Sequence, residues 1–207
     1  SAAMTSAVAD AVVIGGGPNG LVAANLLADA GWDVVLVDGA DEVGGAVRSA
    51  EVAAPGFVSD LFSAFYPLAA ASPVISGLHL EEHGLEWVDA PSVVGHALPD
   101  GRAAVIERDA EATAAGLEAD APGDGAAWLR MVEHWRSVRD PLLDALFTPF
   151  PPVRAGLRLA RQQRAAGLVE LARLGTVPVR RLGEESFSGE GGRVLLTGNA
   201  MHSDLPP

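Results

Sequence analysis

The sequence contains no cysteine and no lysine; all 14 of its basic residues are arginine. The missing cysteine excludes disulfide bonds, thiol catalysis and thiolate metal sites within this chain. No G-x-S-x-G elbow and no P-loop lysine motif occurs, so the hydrolase and kinase classes have no support. The chain has a formal net charge of −13, which argues against nucleic acid as a partner because no basic field collects phosphates.

Long apolar runs are also missing. The nearest candidate, residues 57–80, is interrupted by Asp60, Pro67, Pro73 and His79, so we expect no membrane-spanning helix. The region after Met4 has no basic segment before its first apolar run, and we therefore expect no secretory signal and a cytoplasmic protein. With 207 residues and 49% hydrophobic composition, the chain is long enough for one large or two small globular domains.

The most informative segment lies near the start, at residues 12–20, which read V-V-I-G-G-G-P-N-G. An apolar strand, a glycine-rich turn and a helix-forming run follow one another, and Gly15, Gly17 and Gly20 fit G-x-G-x-x-G. In that motif the first glycine allows a tight turn, the second lets the backbone approach a pyrophosphate, and the third lets the helix pack close to the strand. The helix N-terminus then offers N–H groups to the anion.

A second apolar run, residues 33–37, completes a β-α-β unit and ends on Asp38, 23 residues after Gly15. A carboxylate at this place is expected to contact the ribose hydroxyls of a bound dinucleotide, and it disfavours NADP because of the 2′-phosphate. The unit therefore predicts a Rossmann-type FAD/NAD(P)-binding domain. Only two parallel strands are evident, and since a two-stranded sheet is marginal by itself, we expect this domain to be incomplete.

The rest of the chain predicts loops and short helices over 51–84, then a three-stranded meander over 85–88, 93–98 and 102–107. Helices are predicted over 109–120 and from Trp128 onward, with a new helix at Asp140-Pro141 and further helices over 153–166 and 168–174. The fold class is thus α/β with an α+β cap. We place the first part of the nucleotide-binding domain at residues 8–55 and a partial cap or substrate domain at 56–207.

From Asp38 onward the sequence resembles a known family. The segment G-A-D-E-V-G-G-A-V-R-S after an acid-ended strand is similar to the flavin-binding motif of the amine oxidase and phytoene desaturase superfamily. It is most similar to the phytoene-dehydrogenase-like branch that includes pyridine nucleotide-disulfide oxidoreductase domain-containing proteins. Looser similarity continues through segments 55–63, 84–87, 98–102, 123–128 and 198–207.

The resemblance implies FAD as cofactor and a dehydrogenase or desaturase that removes a hydride from a small apolar organic substrate. By this resemblance the glycine turn would contact the pyrophosphate and Asp38 would contact the adenosine ribose. The loop after Asp38 would lie along the adenosine and the ribityl–pyrophosphate region. Ala46 stands where many members have arginine, and Arg48, two residues later, is the implied phosphate or flavin contact. The implied cofactor-binding set is Gly15, Gly17, Pro18, Asn19, Gly20, Asp38, Gly39, Ala40, Gly44, Gly45, Ala46, Val47 and Arg48.

Family members are commonly about twice as long, so the resemblance implies that this chain matches their N-terminal portion. A C-terminal part of the same protein, or another chain, would complete the flavin pocket, and an exposed sheet edge would favour association, including a homo-oligomer. Two other functions stay open at this stage. They are an NAD-dependent dehydrogenase, which leaves Gly44-Gly45 unexplained, and a non-catalytic nucleotide-binding or interaction module.

Three further features receive weaker interpretations. His202 is a conceivable catalytic base, although a lone histidine is more often structural. His79 and His83 are four residues apart but lack the H-E-x-x-H order and a third ligand, so no metal site is predicted. Arg154, Arg158 and Arg161 follow one helical face, which is interpreted as a solvated surface in preference to a membrane-binding patch.

Overall fold

A computed structural model describes residues 8–200 of the chain. It divides the chain into two compact units, residues 1–86 and 87–207. The predicted domain boundary after residue 55 differs from this division because a hairpin and short helices up to residue 83 belong to the first unit. The assignment of residues 8–55 to a nucleotide-binding domain and 56–207 to a cap stays a prediction.

The first unit begins with the predicted β-α-β element. Strand β1 (Ala11–Ile14), helix α1 (Pro18–Asp29) and strand β2 (Val34–Val37) follow in order, and the two strands pair in parallel from Ala11 opposite Val34 to Ile14 opposite Val37. The helix ends where expected, because Gly31 follows it with a φ of +87°, a conformation that favours glycine. Two strands and one helix in this arrangement confirm the α/β prediction.

The sheet of the first unit has one uncovered apolar face. Parallel sheets are normally covered on both faces, and their strands are rich in Val and Ile for that reason. Here Val12 and Ile14 of β1 are 61% and 85% exposed, and Val35 and Val37 of β2 are also exposed. Among the described residues of this unit only Gly16 is buried, so the element has no core of its own.

A second, antiparallel sheet follows in the first unit. Strands β3 (Ser49–Ala54) and β4 (Phe57–Asp60) form a hairpin around Gly56, whose φ is +84°. Two short helices, α2 (Pro67–Ala71) and α3 (Pro73–Gly77), and a turn of 3-10 helix (Leu80–His83) complete the unit. The prediction of loops and short helices over 51–84 was wrong about the hairpin, because its short strands do not alternate clearly between apolar and polar residues.

Over residues 87–200, the second unit consists of a hairpin and five helices. Strands β5 (Ser92–Ala97) and β6 (Ala103–Glu107) pair in antiparallel fashion. The helices are α4 (Ala110–Asp120), α5 (Asp124–Leu146), α6 (Val153–Leu174), α7 (Val179–Ser186) and α8 (Glu190–Ala200). Its core consists of Ala104 of β6, Leu117 of α4, Ala127 of α5, Phe187 at the end of α7 and Leu195 of α8. Trp128 and Met131 pack against this core.

Several predicted boundaries in this unit were wrong. Residues 85–88 form no strand, so the meander is a two-stranded hairpin. Pro141 does not start a new helix but lies inside α5. A proline has no N–H for the carbonyl of Ser137 four residues earlier, and Gln163 of α6 donates to that carbonyl instead at 3.3 Å. The helices predicted over 153–166 and 168–174 are one helix, and α7 and α8 were not predicted.

The start of α8 is held by two acidic side chains from elsewhere in the unit. Asp124, which is 2% exposed, accepts from the backbone N–H groups of Ser188 and Gly189, both at 2.8 Å. Asp120 accepts from the N–H of Gly191 at 3.1 Å. Carboxylates at a helix N-terminus satisfy N–H groups that lack helical partners and interact favourably with the helix dipole. These contacts connect the turn between α4 and α5 to α8.

We predict that Asp124→Ala destabilises the second unit by about 1–3 kcal/mol, because two part-buried N–H groups lose a charged acceptor. Glu133→Ala is the matched control, since Glu133 is an acid on the same helix without such contacts to α8. Urea denaturation followed by circular dichroism measures both variants. Equal midpoints for Asp124→Ala and the unchanged protein would contradict a stabilising role for this carboxylate.

Candidate functional site

The turn between β1 and α1 has the geometry of a dinucleotide-binding loop. Gly15, directly after β1, has a φ of +100°, and its N–H donates to the carbonyl of Val37 at 2.7 Å. The turn therefore hydrogen-bonds to the end of the neighbouring strand β2. Because both strands run in the same direction, the turn and Asp38 meet at the same edge of the sheet.

The third glycine of the motif is required by packing. A Cβ placed on Gly20 would lie 1.8 Å from the carbonyl oxygen of Gly15 and 3.5 Å from a methyl group of Val13. No side chain fits there without moving the backbone of the turn. Gly20 thus brings α1 against β1, as the motif predicts.

The second glycine has a different environment. Gly17 is the N-cap residue of α1 and has a φ of −74°, which any residue adopts. A Cβ on Gly17 would meet only the Cα of Gly45, at an ordinary contact distance of 3.8 Å. The described structure therefore has no internal reason for a glycine at this position. Room beside the backbone at Gly17 is what a closely approaching pyrophosphate needs.

The N-terminus of α1 faces the same turn. Pro18 occupies the first helical position, and the N–H of Leu21 donates to the Gly17 carbonyl at 2.9 Å. The N–H groups of Asn19 and Gly20 precede this first helical bond, as at every helix start. The first turn contains no acidic residue that would occupy the positive end of the helix dipole.

Asp38 connects the turn to the loop that follows β2. One carboxylate oxygen accepts from the N–H of Gly16 at 2.5 Å, and the other accepts from the N–H of Ala40 at 2.7 Å. The hydrogen bond from Ala40, then that from Gly16, and the charge of Arg48 hold the pKa of Asp38 below its ordinary value of 3.8. Asp38 is therefore charged in neutral solution and is aimed at the glycine turn.

The loop after Asp38 returns to the glycine turn through Gly44-Gly45. The N–H of Gly44 donates to the Gly16 carbonyl at 2.7 Å, and Gly44 and Gly45 have φ angles of +126° and +57°. A Cβ on Gly45 would lie 2.9 Å from the Cα of Gly17. Both glycines are thus required for the two loops to come into contact. A β-α-β unit alone does not explain why two glycines follow each other at this place, and the contact between the loops does.

Arg48 is held next to this contact. Its Nε donates to the Gly45 carbonyl at 3.1 Å, and its guanidinium group lies 5.7 Å from the centre of the Phe62 ring. An arginine over an aromatic face gains a cation–π interaction. The guanidinium group therefore has a defined place beside the Gly-Gly pair.

The structure brings the sequence-predicted residues together around one turn. The predicted residues lie on the β1–α1 turn, in the first turn of α1 or on the loop after β2, and they are Gly15, Gly17, Pro18, Asn19, Gly20, Asp38, Gly39, Ala40, Gly44, Gly45, Ala46, Val47 and Arg48. His202 lies outside the described residues. The motif gave no role to Gly16, yet its N–H binds Asp38 and its carbonyl binds Gly44. The motif allows any residue type at this position, so these hydrogen bonds could not be predicted from the sequence.

Two weaker expectations can also be compared with the structure. Within residues 8–200 no group of three or more His, Asp or Glu side chains is arranged to hold a metal ion. His79 precedes the 3-10 turn in a left-handed conformation and His83 ends that turn. In the same part of the chain, no helix combines the length and the apolar character that crossing a bilayer requires.

We predict that Asp38 makes the stability of the first unit depend on pH. Its pKa is lower in the folded state than in the unfolded state, so its contribution is fully present above the unfolded pKa, about 3.9, and is lost as the pH falls through the folded pKa. Three further tryptophans lie in the second unit, so NMR signals of the Gly16 and Ala40 N–H groups, followed during urea denaturation at neutral and at acidic pH, measure the effect. Asp38→Asn should lose less stability between these conditions than the unchanged protein, whereas Asp41→Asn, on the same loop, should behave like the unchanged protein.

Comparison with known proteins agrees with this geometry. Residues 13–78 match the family model described as NAD(P)-binding Rossmann-like domain. A limonene dehydrogenase subunit of Castellaniella defragrans is 30% identical over 135 residues, which is 65% of this chain and 24% of that protein. Hydroxyneurosporene desaturase of Rhodobacter capsulatus is 33% identical over 128 residues, or 60% of this chain and 25% of that protein.

The matched region thus spans about a quarter of the length of either relative. The aligned family model covers the second half of β1, the glycine turn, α1, β2 and the loop with Gly44-Gly45, so the residues of the candidate site lie inside it. The chain has an incomplete Rossmann-like α/β fold of the NAD(P)-binding kind, and it is similar to part of a dehydrogenase subunit and of a desaturase.

Proposed function

We propose that this chain supplies the FAD-binding element of a flavin-dependent dehydrogenase or desaturase. The observation that supports FAD most directly is the second loop. Gly44 and Gly45 bring it against the glycine turn, so that a dinucleotide on the turn would be contacted from two sides. A β-α-β unit for NAD does not need this loop. FAD would supply hydride acceptance when bound, and the protein would position it and exclude water.

Different residues of the site would contact different parts of the cofactor. The backbone at Gly15 and Gly17 and the N–H groups of Asn19 and Gly20 would face the pyrophosphate. Asp38 would accept from ribose hydroxyls, because each carboxylate oxygen has a second lone pair beyond its backbone hydrogen bond. Arg48 would provide positive charge near the phosphates from its position beside Gly45.

The substrate we propose is a small, apolar organic molecule from which a hydride is removed. The names of the two relatives support this class, since one belongs to a dehydrogenase of limonene and the other is a desaturase of hydroxyneurosporene. In the described residues of the site no side chain is placed as an obligatory acid or base, so the chemistry would rest on the flavin and on the placement of the substrate against it.

The alternative is NAD in the same turn, which the description of the matching family model favours. Both cofactors need the glycine turn and Asp38, so the turn does not distinguish them. Heat release of the cofactor from the intact enzyme, followed by chromatography and absorption at visible wavelengths, separates the two. A released flavin supports the proposal, and released NAD would replace it with the alternative.

Two glycine variants distinguish a glycine that cofactor binding requires from a glycine that the fold requires. Gly17→Ala should cost only about 0.5–1 kcal/mol at the N-cap, where glycine is preferred to alanine, yet reduce cofactor content strongly. Gly20→Ala should destabilise the fold itself by about 1–3 kcal/mol, because its methyl group collides with the Gly15 carbonyl.

Flavin content per chain in the intact enzyme and urea denaturation of each variant are the two measurements. The proposal requires that the variants differ: Gly17→Ala loses cofactor but keeps most of its stability, and Gly20→Ala loses both. If Gly17→Ala retains a full complement of cofactor, the turn does not bind a pyrophosphate at this backbone position.

We further propose that another segment covers the open face of the parallel sheet and completes the flavin pocket. Val12, Ile14 and Val37 form the exposed apolar surface that supports this idea, because such a face is stable only when it is covered. The covering segment would belong to the rest of the same protein or to another chain. One relative is named as a subunit of its dehydrogenase, which makes a second polypeptide a reasonable candidate.

The corresponding prediction concerns residues 1–207 purified alone. We expect this chain to self-associate, to hold FAD weakly and to show no turnover with an artificial electron acceptor. Sedimentation, flavin content and dye reduction measure these properties. Ile14→Thr should reduce the self-association, while Val169→Thr, at an exposed valine of the second unit, should not. A monomer with stoichiometric FAD and clear turnover would show that the chain is sufficient by itself.

A further inference from the structure

The charge of the chain is reversed in one segment of the second unit, where α5 ends and α6 begins. Between Asp144 and Glu170 the sequence contains no acidic residue, although the whole chain has 27 of them and a formal net charge of −13. The same segment contains four arginines, namely Arg154, Arg158, Arg161 and Arg164. This segment is therefore positively charged in a protein that is otherwise strongly acidic.

Three of these arginines lie together on α6. A cleft of about 410 Å³ is lined by four residues that follow the i, i+3, i+4, i+7 pattern of one helix face and by one neighbouring glutamine, namely Arg154, Leu157, Arg158, Arg161 and Gln162. Arg158 is paired with Asp144, whereas Arg154 and Arg161 have no carboxylate partner among the described residues. Two guanidinium groups on this face are therefore available to a negatively charged partner.

Large apolar side chains are exposed next to these arginines. Phe150, in the segment between α5 and α6, is 93% exposed, and Val153 and Leu157 of α6 are 60% and 52% exposed. Val153 lies one helical turn before Leu157, so both lie along the same side of the helix. We call the surface formed by these apolar residues and the arginines of the cleft the α5–α6 corner. Its apolar side chains contribute little to the core of their own unit and are available to a partner.

The combination of charge and apolar surface identifies the kind of partner. A row of arginines alone is typical of a solvated helix face, but such a face does not need an exposed phenylalanine beside it. A free phosphate ion would pair with the arginines and leave the apolar side chains in water. The interface of a bilayer with anionic lipids matches both, because apolar side chains enter the boundary between headgroups and acyl chains while arginines contact the negative headgroups.

We propose that the α5–α6 corner binds the surface of a membrane that contains anionic lipids. Phe150, Val153 and Leu157 enter the interface, and Arg154 and Arg161 contact the lipid headgroups. The acidic remainder of the chain is repelled by the same surface, so the protein approaches the membrane with this corner first. This inference does not rest on the proposed flavin chemistry, since every residue involved belongs to the second unit.

The test is flotation of the whole chain with lipid vesicles through a density gradient, which separates membrane-bound protein from aggregates. Vesicles of phosphatidylcholine mixed with phosphatidylserine provide the anionic surface, and vesicles of phosphatidylcholine alone are the uncharged counterpart. We expect the chain to float with the mixed vesicles and much less with the uncharged ones. Added sodium chloride should reduce the binding, because salt screens the attraction between arginines and headgroups.

Charge variants test the role of the arginines. Arg154→Gln combined with Arg161→Gln should raise the lipid concentration for half-maximal binding about 10- to 30-fold, since each basic residue near an anionic surface contributes about fivefold. Arg130→Gln combined with Arg180→Gln is the matched control. It removes the same charge at two exposed arginines of α5 and α7 that lie outside the α5–α6 corner, and it should leave this concentration nearly unchanged.

Apolar variants test the role of the exposed side chains. Phe150→Ala should weaken binding to the mixed vesicles about three- to tenfold, because part of an aromatic side chain no longer leaves water at the interface. Val88→Ala, at a valine of the second unit that is 85% exposed, is the control and should have no effect. Circular dichroism of each variant checks that it is folded.

Four outcomes would overturn the proposal. The first is that the unchanged chain does not float with the mixed vesicles, or floats equally with both kinds, and this result needs no variant. The second is that the control pair of arginines weakens binding as much as the pair at the corner. The third is a smaller sedimenting mass of the Arg154→Gln and Arg161→Gln variant without lipid, which would assign the corner to a contact between copies. The fourth is that the intact enzyme does not bind while residues 1–207 do, which would show that the rest of the protein covers the corner.

Discussion

The carboxylate of Asp38 joins the parts of the nucleotide-binding element. It holds the N–H of Gly16 in the glycine turn and the N–H of Ala40 in the next loop, and Gly16 in turn binds Gly44. These hydrogen bonds bring two loops from different places in the sequence together at one end of a parallel sheet. The first unit contains little else that fixes this geometry, because Gly16 is its only buried residue in the described structure.

The two units differ in how they are stabilised. The second unit has a core in which Leu117, Phe187 and Leu195 are almost fully buried, and the carboxylate of Asp124 connects the start of α5 to the start of α8. The first unit has apolar strands with an exposed face and backbone hydrogen bonds in the turn. Parallel strands are normally covered on both faces, so the first unit has less internal stabilisation than the second.

The glycines of the site are present for different physical reasons. Gly20, Gly44 and Gly45 are required because a Cβ would collide with nearby backbone atoms. Gly15 is required by its positive φ. Gly17 has neither constraint. The pyrophosphate that we propose to bind there would need the room that the missing side chain leaves.

The sequence by itself determined the β-α-β unit, the acid at its end and the glycine turn, because these depend on local apolar runs and on spacings within about 25 residues. It also located helix α4, whose N-cap Asp109 and following Pro122 are local signals. The sequence did not predict that α5 continues through Pro141, because this depends on a distant contact. Pro141 leaves the carbonyl of Ser137 without a helical donor, and Gln163 of α6 donates to that carbonyl instead. The meeting of Gly44-Gly45 with the turn and the exposure of Val12, Ile14 and Phe150 were settled by tertiary structure, since each depends on residues far apart in the sequence.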